Sequence, residues 1–183
     1  MIDLERTPAM QFSRRMVSIK FIQHIQDDLN GMKDASKLPV KIAYLNQAYI
    51  LHLVAYWQVF VEDLARYGFS ILEKKTPDGP FVAIAKARLD HRLKKFNTPS
   101  KANIDELFSE TLGIDRITKS WSEKIQPNNL GADTLKRVLD ARHEIAHTGS
   151  ADTALAYASN YTEMETLVEL ARVAEDRLRA ALS

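Results

Sequence analysis

Residues 48–61, AYILHLVAYWQVFV, are the most apolar run in the chain. The run is too short to span a bilayer, which takes ~20 apolar residues, and it carries His52 and Gln58. Its surroundings set its conformation. Leu45, Tyr49, His52 or Leu53, Tyr56, Phe60 and Leu64 recur at the spacing of one helix face. Pro39 suits the first turn of such a helix, which then continues to about Glu73, with Gly68 as a candidate kink. The middle of this helix is apolar nearly all round. A helix of that kind is the buried centre of a bundle, and the rest of the chain has to surround it.

The flanking sequence supplies what is needed. A first helix is expected over residues 10–32, with Met16, Ile19, Ile22, Ile25, Leu29 and Met32 inward and Gly31 at its end. The turn TPDGP at 76–80 leads to a helix over 81–96. After the loop Asn97-Thr-Pro-Ser100 comes a short helix over 104–112, stopped by Gly113. Residues 114–121 give another turn or two of helix. A loop at 127–131 precedes a helix capped by Asp133 or Thr134, whose apolar side is Leu135, Val138, Leu139, Ala141 and Ile145 and which ends at Gly149. The last helix lies within 153–182, with Tyr157, Tyr161, Met164, Leu167, Val168, Ala171, Ala174 and Leu178 inward. No segment has the alternation of a strand. The expectation is an all-α bundle, one domain over 1–183, with a short helical insertion between residues 77 and 131.

Composition narrows the function classes. Apolar residues make up 45% and charged residues 27% of 183, the balance of a globular domain rather than a disordered one. There is no cysteine, which excludes disulfides and thiolate metal sites and suits the cytoplasm. The opening MIDLERTPAMQFSRR lacks the apolar core of a secretory signal. The net charge of +1 is no electrostatic signature of a nucleic-acid binder, so any such binding has to come from local patches.

One string carries chemistry: ARHEIAHTG, residues 141–149. From His143 it reads H-E-x-x-H, two imidazoles one helical turn apart that could hold Zn²⁺, with Glu144 as general base. A third histidine at the extended spacing is missing, because Ser150 and Thr153 stand there. Glu163, Glu165 and Glu169 are the remaining candidates for a third ligand. From Arg142 the same string reads R-x-x-x-x-H. Arginine offers a planar fork of donors to a phosphate, and histidine, with an ordinary pKa of ~6.5, moves protons near neutrality. Together they meet the needs of RNA phosphodiester cleavage, in which the 2′-hydroxyl is the nucleophile. Arg142 and His147 stand ~140° apart round an ideal helix, so they reach one site only if His147 swings from the last turn or if two copies meet across a symmetric dimer. The plainer reading is a solvated arginine and a helix-terminal histidine.

The sequence resembles the HEPN superfamily, and within it the RiboL-PSP-HEPN subgroup. The resemblance rests on LVAYWQVFVEDL (53–64), KARLDHRLKKFNTPS (86–100), LFSETLGIDRITKSW (107–121) and LDARHEIAHTG (139–149). It implies a HEPN-like up-and-down helical bundle and a metal-independent endoribonuclease with no cofactor. Arg142 and His147 are then catalytic, with His143 as a site neighbour, and cleavage leaves a 2′,3′-cyclic phosphate. It also implies homodimers with two motifs facing one cleft, and roles as toxins or in antiviral defence, often with an antitoxin partner. One position departs from the pattern: family members often carry an acid after the tryptophan, and here Gln58 follows Trp57. Glu62 and Asp63, a turn later, are the candidate replacements. Lys86, Arg88, Arg92, Lys94 and Lys95, with Lys101 beyond, form a basic stretch that could follow an RNA backbone or simply be a solvated face. Trp57 and Trp121 read as core, and His24 and His52 as packing residues.

Overall fold

The computed structural model describes residues 7–31, 38–76, 79–124, 130–151 and 157–183. These fold as seven helices: α1 (Pro8–Asn30), α2 (Leu38–Lys75), α3 (Pro80–Lys95), α4 (Lys101–Leu112), α5 (Lys119–Lys124), α6 (Leu130–Thr148) and α7 (Tyr157–Leu182). Among the described residues there is no strand. α2 is the axis of the molecule. It packs on α1, α6 and α7, and α7 closes the ring by touching α1 and α6 as well. α3 and α4 lean on each other and on α2, and α5 wedges against α6 and α7. The insertion expected ahead of the motif helix is therefore α3–α5.

At 38 residues, α2 is ~57 Å long at 1.5 Å per residue. It buries Tyr49, Leu53, Trp57, Phe60 and Leu64 along the expected stripe. Each such side chain contributes about 1.5–3 kcal/mol when fully removed from water. Trp57 meets Phe12 edge-on at 5.7 Å and lies 6.0 Å from Trp121, so both tryptophans are core, as expected. Gly68 does not interrupt the helix. A Cβ there would stand 2.7 Å from Leu112 Cδ1 and 3.0 Å from Leu178 Cδ1, so the glycine admits α4 and α7 to close range. The central run is not covered on every side: Leu51, His52, Ala55 and Val59 are exposed. His52 and His24 are thus surface residues rather than packing residues, resting near Tyr56 and Phe21.

α1 departs from its apolar pattern. Phe12, Met16 and Ile19 are buried as one face, but the same face continues through Gln23 and Gln26, while Ile25 is 47% exposed. At Gln26 the reason is a buried amide node. Asn46 Oδ1 on α2 accepts from Gln26 Nε2 at 2.9 Å and from Asn160 Nδ2 of α7 at 3.0 Å. Hydrogen bonding compensates desolvation, so amides replace aliphatics where three helices converge. At the other end of α1, Thr7 caps Met10 N–H, and the Glu175 carboxylate of α7 accepts from Ala9 N–H at 2.8 Å. A carboxylate suits the positive end of the helix dipole. α6 starts before its expected cap: it begins at Leu130, so Gly131, Asp133 and Thr134 are inside it. Asp133 serves as a first-turn acid instead. Met32, residues 127–129 and 153–156, and the side chain of Tyr157 lie outside what is described.

Candidate functional site

The buried face of α6 comprises Leu135, Val138, Ala141 and Ile145. This register turns Arg142, His143 and His147 to solvent in the last two turns. Gly149 ends the helix with φ +79°, donating its N–H to Ile145 O at 2.9 Å, a conformation in which glycine is favoured. Thr148 Oγ1 donates to Glu144 O at 2.9 Å. The helix thus runs intact through His147. The His143 and His147 rings lie 4.2 Å apart, centroid to centroid. Arg142 leaves the helix ~140° round from His147. Two cations upstream on α6 are paired, Lys136 with Asp140 at 2.6 Å and Arg137 with Glu163 at 2.7 Å. Among the described residues no acid pairs with Arg142.

The two imidazoles have the spacing of the zinc pattern, but its remaining ligand is not beside them. Glu163 is buried and held by Arg137, and Glu169 faces Arg172 at 3.5 Å. Among the described residues no third histidine, cysteine or carboxylate joins the pair in a metal-binding group.

A groove of about 450 Å³ runs along α6 toward the motif. One wall is α6 from Ala132 to His143, and the other is Thr98, Ser100 and the first turn of α4. Leu135 and Leu139 line its apolar part; Asp133, Asp140, Lys101 and Lys136 line its polar part. The Asp140 carboxylate, bonded to Lys136, raises that ammonium above its ordinary pKa. α2 holds the outer wall in place. Trp57 Nε1 donates to Pro99 O at 3.1 Å, and Gln58 Nε2 donates to Phe96 O at 3.0 Å. The departure at position 58 thus has a structural consequence: an amide can donate to a carbonyl, and a carboxylate cannot.

The other candidates are elsewhere engaged. Glu62 accepts from Gln58 at 3.2 Å and meets Arg66 at 3.4 Å; Asp63 pairs with Arg15 at 3.2 Å and Arg66 at 3.6 Å. Both carboxylates serve an ion-pair cluster between α1 and α2. In the basic stretch, Arg92 bridges α3 to α4 through Glu106 at 3.2 Å and Glu110 at 2.8 Å. Lys86, Arg88, Lys94 and Lys95 are exposed, as are His91 and Lys101. Sequence reasoning missed the groove, because α4 and α6 make it together and the contacts that set its wall link residues about 40 positions apart.

The fold and this site define a class: an all-α bundle presenting an arginine and a histidine from the last turns of a helix packed on its central one. The chain belongs to the RiboL-PSP-HEPN family, whose family model matches residues 14–176. No curated protein and no solved structure matches it significantly. The protein is therefore a HEPN-type module. No helix of the described residues is long and apolar enough to cross a membrane.

Proposed function

We propose that the protein is a metal-independent endoribonuclease of the HEPN type, one domain acting as a cytoplasmic homodimer in toxin–antitoxin or antiviral defence. The observation that carries this reading is the pair Arg142 and His147, both exposed on the last turns of α6 in a chain of this family. Arg142 holds the scissile phosphate through its non-bridging oxygens. His147 takes the proton from the 2′-hydroxyl as the 2′ oxygen bonds to phosphorus. The bond from phosphorus to the 5′ oxygen breaks, the proton held by His147 passes through solvent to that oxygen, and a 2′,3′-cyclic phosphate remains. His143, beside His147, is a neighbour of the reacting groups.

The ~140° between Arg142 and His147 supports a shared site, with arginine from one protomer and histidine from the other. It also favours a second reading, a non-catalytic module that binds RNA or an antitoxin through the same surface.

One mixing experiment separates these. Arg142→Ala and His147→Ala homodimers should each be inactive on RNA, with EDTA present throughout. Subunit exchange between them should restore about a quarter of wild-type activity, since half the dimers are mixed and each mixed dimer has one intact composite site of two. No restoration rules out the composite site, and no cleavage by the wild-type protein rules out the ribonuclease.

A further inference from the structure

We infer that the groove between α6 and the start of α4 is a nucleobase subsite, selecting a base with an exocyclic amino group next to the scissile phosphate. The inference rests on the ribonuclease reading above and adds a substrate preference to it.

Position is the first argument. The groove ends at His143, whose ring is 4.2 Å from His147, and both imidazoles lie on the α6 face that forms the groove wall. A strand with its phosphate at the last turn of α6 therefore has its neighbouring nucleotide at the groove mouth. Size is the second. About 450 Å³ falls within the ~300–1,000 Å³ of small-molecule sites, room for one nucleoside rather than a duplex.

The lining chooses between base and phosphate. Leu135 and Leu139 offer an apolar surface for the flat face of a base, and any base can use it. Asp133 and Asp140 line the same space together with Lys101 and Lys136, so the lining carries no net charge to draw a phosphate in. The phosphate thus stays outside, at the motif on the last turns of α6. Asp140 engages Lys136 through Oδ2, and carboxylates only accept. What they favour is an N–H edge such as the N4 amino group of cytosine, where uracil has a carbonyl oxygen that they repel. The outer wall is fixed by Trp57 and Gln58, so the groove is formed before RNA arrives.

Cytosine and uracil isolate that edge, since both are pyrimidines and differ at position 4. The probes are fluorescein-labelled 2′-O-methyl oligo-C and oligo-U of equal length, which cannot be cleaved by 2′-hydroxyl attack. Anisotropy should give oligo-C about tenfold tighter binding to the full-length protein. Asp140→Asn should narrow the gap severalfold, and Leu139→Glu should weaken both probes with helical circular dichroism unchanged. Equal affinity for the two probes overturns the subsite, and so does a preference that Asp140→Asn leaves intact. Parallel cleavage of ordinary RNA separates the two claims. Preference without cleavage keeps the subsite and removes the ribonuclease; cleavage without preference does the reverse.

Discussion

Two sets of polar side chains stand at opposite extremes of this molecule. In the amide node of α1, α2 and α7, Gln26, Asn46 and Asn160 are at most 4% exposed and bonded to one another. On the last turns of α6, Arg142, His143 and His147 are exposed, and the apolar face beneath them is complete without them. A buried amide cannot be removed without orphaning its partners, whereas an exposed cation can be removed at almost no cost to the fold. The same residue class therefore does opposite work. One set specifies how three helices meet, and the other is available to a ligand.

The largest stability effect is expected at the node. Asn46→Ala takes the shared acceptor from two buried amide donors and leaves a small void. It should destabilise the protein by about 2–4 kcal/mol, read as a shift of the urea midpoint with unchanged slope. A loss below ~1 kcal/mol would mean that the donors find other partners, and the node would no longer contrast with the motif.

Gln58 lies between the extremes, half-buried, with its amide shared between Glu62 and Phe96 O. Gln58→Glu sets a carboxylate against a carbonyl and another acid. The expected cost is about 1–3 kcal/mol, with faster amide exchange over residues 96–100. A protonated acid can donate again. The introduced side chain is thus more easily protonated in the folded state than in the unfolded state, and the deficit shrinks as pH falls through the carboxylic range. Unchanged exchange in that loop would break the link between α2 and the groove wall.

The fold was legible where apolar residues repeat at helical spacing over many turns, as in Tyr49 to Leu64 and Leu135 to Ile145. It was misread where polar groups are buried: Gln26 looks like a solvent position, and its burial depends on Asn46 of α2, which is itself shared with Asn160, 114 residues further on. Gly68 looked like a kink because a close approach by Leu112 and Leu178 leaves no local trace. The motif at Arg142 and His147 was legible because its spacing is local. The groove beside it was not, since Ser100, Leu139 and Asp140 belong together only after Trp57 and Gln58 have anchored a distant loop. Glu62 and Asp63 were acids of the right type near the right tryptophan, but Arg66, at i+4 and i+3 spacing, and Arg15, 48 residues away on α1, engage them; only the first of these was open to a reading by spacing.

The smallest expected effect is the sharpest test of the contrast. Arg142→Ala and His147→Ala should each change unfolding free energy by no more than ~0.5 kcal/mol, with the helical circular dichroism of the parent. Nothing buried loses a partner in either case: Gly149 N–H and Thr148 Oγ1 close the end of α6 through main-chain carbonyls, not through the motif. Alanine also has a higher helix propensity than either residue, so any small shift should favour stability. A loss above ~1 kcal/mol would make the motif part of the fold, and reduced RNA cleavage by these variants would then no longer point to chemistry. Stability unchanged in the face of lost cleavage is the combination that assigns the two side chains to function.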